Sequence, residues 1–248
     1  MRTDRALTPT VRSCCIPNAA PVYCVAMTPM PRVTASFAQT IDGKIAGPNG
    51  SSRWISGSET LTLAHQLRGE HDAILVGIGT VLADDPELSC RIEDCVSPVR
   101  VILDSGLRLP LDSRIVKTAD RYETIVIYDP TRGVQNAAAS QSLHSKVTAT
   151  LALDTTGFAS REAAVLSLLA ARGIQSVFIE GGSRVLSAFL KADLIDRLVL
   201  VTAPLVLGDG VPAFADTEVR SLADARRLKP VSAYMMGDDL VWELQRVE

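Results

Sequence analysis

Three glycine-bearing stretches combine backbone freedom with polar side chains, which is what a bound anion or a flat polar ring needs. The first is Glu180-Gly181-Gly182-Ser183. It follows a short apolar run and opens a segment with helical spacing, so its free amides and the helix dipole suit a phosphate. Glu180 sits at the tip of that run. A carboxylate buried there without a partner costs several kcal/mol, and a substrate amide or hydroxyl is a fitting partner. The second stretch is Gly77-Ile78-Gly79-Thr80-Val81-Leu82-Ala83-Asp84-Asp85-Pro86. It begins like a dinucleotide-binding fingerprint, but Leu82 stands where the third glycine belongs. Thr80 is a donor for a phosphate, although a tight strand-to-helix turn explains the glycines equally well. Asp84-Asp85 ahead of Pro86 fits either an active-site acid or a helix end, and the pair taken alone favours the helix end. The third stretch is Gly50-Ser51-Ser52-Arg53-Trp54-Ile55-Ser56-Gly57. Trp54 serves there either as a wall beside a flat ring or as a plug over the core.

These loops need a frame, and the hydrophobic pattern supplies one. Val33, Ala35 and Phe37 alternate with Thr34, Ser36 and Ala38, a strand pattern, and Asp42-Gly43 marks a turn. Ser58 reads as the cap of a helix whose face carries Leu61, Ala64, Leu67 and Arg68 and which stops near Gly69. Residues 73–76 form a continuous apolar run, as a buried strand does. Further strands are expected at residues 99–103, 124–128, 147–153, 176–179 and 198–202, with helices at 161–172 and 182–191. Residues 234–236 and 240–244 flank Gly237-Asp238-Asp239 as a hairpin. The implied class is α/β: a mainly parallel sheet with helices on both faces and a C-terminal antiparallel hairpin. In such sheets ligands bind at the carboxyl ends of the strands.

Composition removes several function classes. The formal net charge is -3 and the basic residues are scattered, so no nucleic-acid footprint is present. Aromatic residues make up 4%, too few for a base-stacking platform. The five cysteines, Cys14, Cys15, Cys24, Cys90 and Cys95, are odd in number and show no zinc-type spacing. This argues against a disulfide framework or a metal site and for a reducing, cytoplasmic compartment. No run reaches a membrane span. His65, His71 and His144 fit no catalytic motif and read as surface or capping residues. Residues 1–31 hold five of the 13 prolines and no periodicity. They read as a disordered tail, or as an upstream start ahead of Met27 or Met30, rather than a signal peptide. Residues 32–248 read as a single domain without repeat or linker.

Six motifs occur together in order: Gln39-Thr40-Ile41-Asp42-Gly43-Lys44; Ser52-Arg53-Trp54-Ile55-Ser56; the stretch from Val76 to Pro86; Arg100-Val101-Ile102-Leu103-Asp104-Ser105; Glu180-Gly181-Gly182; and Ile195-Asp196-Arg197 before Ala203-Pro204-Leu205-Val206-Leu207-Gly208. Over residues 32–247 the chain resembles the pyrimidine reductases of riboflavin biosynthesis, the carboxy-terminal half of bacterial RibD and its free-standing archaeal relatives. The resemblance implies a dihydrofolate-reductase-like fold, NADPH and a homodimer. It implies reduction of the ribosylamino group of a pyrimidine 5′-phosphate to a ribitylamino group, with hydride passing to the sugar C1′. By matching position, Gln39, Trp54, Thr80, Asp84, Ser105, Gly182 and Ser183 are expected to face the cofactor, and Ser52, Leu88, Arg91 and Glu180 the substrate. The planar fork of Arg91 suits a phosphate. Asp84 and Glu180 are the candidate proton donors.

Nothing before Arg32 resembles the zinc deaminase half of the bifunctional members. Many bacterial members carry a lysine where Ser36 stands and free-standing members often do not, so both the deaminated and the aminated pyrimidine stay open as substrate. Two alternatives accompany this reading: a reductase of the same fold acting on another flat heterocycle, and a non-catalytic nucleotide-binding module.

Overall fold

The computed structural model describes residues 29–52, 55–132, 137–215 and 217–247, with the backbone alone for residues 137–140. In chain order the elements are β1 (Arg32–Thr40), β2 (Lys44–Ala46), α1 (Ser58–Gly69), β3 (Ala73–Gly77), α2 (Ile78–Asp84), β4 (Val99–Leu103), α3 (Arg114–Lys117), β5 (Thr124–Tyr128), α4 (Ala137–His144), β6 (Ala149–Ala152), α5 (Arg161–Ala170), β7 (Ser176–Glu180), α6 (Ser183–Lys191), β8 (Arg197–Ala203), β9 (Val211–Pro212), β10 (Leu228–Met236) and β11 (Asp239–Arg246). Among the described residues nine strands form one sheet in the order β10-β11-β8-β1-β7-β3-β4-β5-β6. The pairs from β8 to β6 are parallel, and β11 and β10 add antiparallel strands at one edge. This is the mainly parallel sheet with a closing antiparallel hairpin that the hydrophobic pattern implies.

The central strands are apolar on both faces because both faces are covered. Val33, Leu75, Val101, Ile125, Val177 and Ile179 pack with Leu166 and Leu169 of α5 and Leu186 and Phe189 of α6. The alternate residues Ile74, Val76, Ile102, Val126, Phe178 and Val199 pack with Leu63 and Leu67 of α1, Val81 of α2 and Ile115 of α3. The side-chain period of two along each strand thus feeds two separate cores.

Arg100 on β4 lies within this buried layer at 0% exposure. Its guanidinium donates to the Thr124 and Thr118 hydroxyls and to the carbonyls of Glu87, Ile115 and Tyr122. Burial pulls it down to about 10. These bonds hold the loop after α2 against α3 and β5.

Several local readings are corrected. Ser58 is the first residue of α1 and not its cap; the cap is Gly57, with no side-chain bond from the cap residue. The carboxylate of Asp239, from the start of β11, takes that role by accepting from the Gly57 amide and the Thr60 hydroxyl, both at 2.8 Å. Residues 78–84 form α2, which follows the strand-to-helix turn at Gly77 and ends at Asp84, the helix end that the Asp84-Asp85 pair favoured. The hairpin strands extend well beyond the expected residues. Cys90 and Cys95 are joined by a disulfide, contrary to the expectation from the cysteine count of no disulfide framework. A turn with Asp94 at φ 59° brings their Cα atoms to 6.1 Å, within bridging range.

Asp239 is 3% exposed and caps α1 across the fold. Asp239→Ala is expected to cost about 1–2 kcal/mol, the scale of a lost helix cap. Urea denaturation reads this directly; an unchanged midpoint and slope contradict the assignment.

Candidate active site

Parallel pairing brings the carboxyl ends of β1, β7, β3 and β4 to one edge of the sheet, with Ser36 opposite Glu180 and Gly77 opposite Leu103. A cavity of about 1510 Å³ opens there. Ser36, Ser52, Thr80, Asp84, Ser105 and Glu180 are on its wall, together with Gly181, Gly182 and Ser183.

Glu180 ends β7 and has a protein partner, so the carboxylate that was matched with a substrate group is also paired within the fold. Arg68, near the end of α1, donates Nε to Glu180 Oε2 at 2.7 Å and Nη2 to Oε1 at 2.6 Å. The side chains are 11% and 27% exposed. Burial alone would lower the Arg68 guanidinium, but the Glu180 charge and hydrogen bond outweigh it and leave Arg68 raised. The remaining terminal nitrogen, Nη1, donates to the Ser89 carbonyl at 2.9 Å.

The glycine cradle is built by two left-handed residues, Gly181 at φ 63° and Gly182 at φ 81°. Such angles favour glycine. A side chain at Gly182 would also meet the Thr80 hydroxyl at 2.9 Å. The close approach joins the start of α6 to the first turn of α2, so amides of both helices and the Thr80 hydroxyl share one wall. This geometry suits a bound phosphate. Asp84 ends α2, and Asp85 follows in the left-handed region at φ 40°. The Ser52 hydroxyl lies 3.3 and 3.5 Å from the two Asp84 carboxylate oxygens. Ser105, beyond β4, accepts from Arg161 at 3.0 Å.

Other expected residues lie elsewhere. Gln39 is half-buried beside the turn at Gly43 and is not on the cavity wall. Leu88 is 2% exposed and its side chain belongs to the core with Leu63 and Leu67. Arg91 is exposed, also off the wall, and its guanidinium makes no hydrogen bond or ion pair among the described residues. Trp54 lies outside the described residues. Sequence reasoning missed Arg68 and Arg161 as site residues. The available signal for Arg68 was a charged residue on the otherwise apolar face of α1.

The family described as the RibD C-terminal domain matches residues 31–242. The riboflavin biosynthesis protein RibD of Aquifex aeolicus is 37% identical over 212 residues, 85% of this chain and 56% of that protein. The 2,5-diamino-6-ribosylamino-4(3H)-pyrimidinone 5′-phosphate reductase of Methanothermobacter thermautotrophicus is 36% identical over 219 residues, 86% of this chain and 97% of that protein. Among solved structures, Acinetobacter baumannii RibD superposes with a TM-score of 0.75 at 30% identity, covering 88% of this chain and 59% of that one. The chain spans little more than half the length of the RibD relatives and almost the whole length of the archaeal reductase.

The loop that carries Arg91 is also held by His65 of α1, whose Nδ1 accepts from the Arg91 amide at 3.2 Å. Burial, then the charges of Arg68 and Arg91, lower the His65 imidazole. The unfolded chain therefore takes up this proton first. The stability that neutral His65 contributes is present above its ordinary value near 6.5 and is lost as the pH falls below it. His65→Gln keeps an acceptor and cannot titrate. Its denaturation midpoint is expected to fall less between pH 7 and pH 5 than that of the wild type; parallel pH profiles contradict this role.

Proposed function

The chain belongs to the RibD C-terminal domain family, and on that premise we propose that it is an NADPH-dependent reductase of riboflavin biosynthesis. It converts the ribosylamino group of a pyrimidine 5′-phosphate to a ribitylamino group. The observation that carries this reading is the joint presence of the Gly181-Gly182 cradle and the Glu180 carboxylate on one cavity of about 1510 Å³. That volume has room for a dinucleotide with a small polar ring beside it.

The residues fit a nicotinamide dinucleotide. The cradle, the amides at the starts of α2 and α6 and the Thr80 hydroxyl suit its pyrophosphate. When bound, the cofactor supplies the hydride that the sugar carbon receives. The chain's own groups bind and orient. Both oxygens of Glu180 are engaged by Arg68, which supports Glu180 as an acceptor for the pyrimidine amino groups in preference to a proton donor. Asp84 has only the Ser52 hydroxyl as a side-chain hydrogen-bond partner among the described residues, and it is the candidate for moving a proton at the reacting sugar. Arg91, exposed on a loop anchored by Arg68 and His65 and without an ion pair among the described residues, is the candidate for the substrate phosphate.

We further propose a cytoplasmic homodimer, a reading that rests on the biosynthetic role and no longer on the cysteines, two of which are bridged. Of the apolar residues 198–206, Leu198, Val199, Val201 and Ala203 are buried in β8, whereas Leu205 and Val206 beyond its end are 43% and 71% exposed. A second exposed apolar surface is the outer hairpin, where Met235 is 62% and Leu240 and Trp242 are each 39% exposed on neighbouring strands. No helix among the described residues is long and apolar enough to cross a membrane.

The test is turnover of the deaminated and the aminated pyrimidine phosphate side by side, with NADPH oxidation as readout. One of them is expected to turn over, and oxidation with neither contradicts the function. Arg91→Ala is expected to raise KM for the phosphorylated substrate by the equivalent of about 1.5–3 kcal/mol, the scale of a charged hydrogen bond. The dephosphorylated substrate and NADPH binding should be little changed. Equal losses on both substrates contradict the phosphate contact.

A further inference from the structure

The proposed function needs Arg91 at the substrate phosphate, yet Arg91 lies off the cavity wall with no ion pair among the described residues. The chain around it accounts for this position. Cys90 and Cys95 are bonded to each other, so residues 90–95 form a covalent ring with Arg91 inside it. The stem of the loop is held without the bridge. Arg68 Nη1 donates to the Ser89 carbonyl, the Cys90 amide donates to the Ser97 hydroxyl at 3.0 Å and the Arg91 amide to His65 Nδ1 at 3.2 Å. The amide side of Arg91 is therefore fixed by the stem, and its carbonyl side by the ring.

Beyond Arg91 the tip has little else to hold it. Ile92, Glu93, Asp94 and Val96 are exposed, and inside the ring the Cys95 amide donates to the Ile92 carbonyl at 3.2 Å. The ring keeps Asp94 in the left-handed region at φ 59°, which costs energy for a residue with a side chain. Cys95 Sγ is lodged against the end of α1, where a side chain at Gly69 would meet it at 2.5 Å. Gly69 follows Arg68, the partner of Glu180, so the bridge seats the loop tip on the support of the other proposed substrate contact. The bridge is also within reach of a reductant: Cys90 is buried, but Cys95 is only half-buried. Disulfides open to solvent are the labile ones.

We propose that the Cys90–Cys95 bridge is a thiol-redox switch on substrate binding: closed, it holds Arg91 away from the cavity, and opened by a dithiol reductant it lets Arg91 reach the substrate phosphate. The inference rests on the assignment of Arg91 to that phosphate and adds its regulation. In the opening step a reductant thiolate attacks Cys95 Sγ, the bond to Cys90 Sγ breaks, and a mixed disulfide forms on Cys95. Cys90 leaves as a thiolate and takes a proton; its sulfur lies 3.3 Å from the His65 carbonyl, which accepts from the new thiol. The second reductant thiol then displaces Cys95, which is protonated in turn. The bridge gains two electrons and two protons, and the dithiol ends as a disulfide.

The test compares the full chain with the bridge closed in oxidised glutathione and opened by dithiothreitol, each state verified by thiol alkylation and mass spectrometry. The fold is expected to survive opening, because so short a ring removes little entropy from the unfolded chain. On opening, KM for the pyrimidine phosphate that turns over is expected to fall ~10-fold, the factor separating a loop competent in about a tenth of molecules from one competent throughout. NADPH affinity, read by nicotinamide fluorescence, is expected to stay within ~2-fold. C95S cannot form the bridge and is expected to match opened wild type and to ignore the reductant. R91A is expected to show one KM in both states, because the group that the bridge controls is gone. Equal KM in the two states of wild type, or a KM that rises on opening, overturns the switch. So does the same fall in R91A, a C95S that still responds to the reductant, or cysteines 90 and 95 that stay free thiols in oxidised glutathione. All of these leave the reductase reading standing. Turnover of neither pyrimidine phosphate in either state removes that reading and the switch together.

Discussion

Glu180 ends a strand in the middle of a parallel sheet, where its carboxylate is mostly withdrawn from water and needs a counter-charge. Arg68 supplies it, and the geometry of one guanidinium spreads the consequence across the site. Two of its nitrogens grip the carboxylate and a third holds the Ser89 carbonyl. The tip of β7, the end of α1 and the loop that carries Leu88 and Arg91 are thereby fixed to one another. A lysine could not make this fork, because its charge is a single point. Removing either partner leaves a poorly solvated charge behind, which is far more costly than the pair is stabilising. The cavity's shape on this side therefore depends on one ion pair between residues 112 apart in the chain.

The opposite end of the cavity repeats the logic with different residues. There Arg161 occupies Asp129 and steadies Ser105, so a carboxylate at a strand tip is again neutralised by a helix-borne arginine. Between the two pairs the wall is glycine and hydroxyl, with Gly182 pressed against Thr80. A charged anchor at each end and an uncharged cradle in the middle is an arrangement suited to a long, anionic ligand, and it is produced by the parallel order of β1, β7, β3, β4 and β5.

The strands were legible because they are buried on both sides: residues such as Ala73, Ile74, Leu75 and Val76 leave no other reading. The cradle at Glu180-Gly181-Gly182 was legible for the same reason, since an apolar run that stops at two glycines must turn there. α2 was legible at its end, where Asp84-Asp85 precede Pro86, but not along its length, because Gly77-Ile78-Gly79 has the composition of a loop and only Ile78 and Val81 of its seven residues are buried. Arg68 was seen on a helix face but not as a partner of Glu180, because no local pattern reports a contact made through the fold. Leu88 shows the converse: its matching position in the family says nothing of its left-handed backbone, φ 60°, or of its side chain turning into the core. The Cys90–Cys95 bridge was hidden by counting, since an odd total conceals a pair that one tight turn brings together.

The central claim is that a reduced nicotinamide and a ribosylamino-pyrimidine phosphate meet in this cavity. Incubating the protein with NADPH deuterated at the transferable position, and locating the label in the product by mass spectrometry, tests it most directly. The account predicts a ribitylamino product that carries the deuterium on the sugar C1′, formed as NADPH is oxidised. A product without deuterium at that carbon, or no oxidation of bound NADPH in the presence of either pyrimidine phosphate, contradicts it.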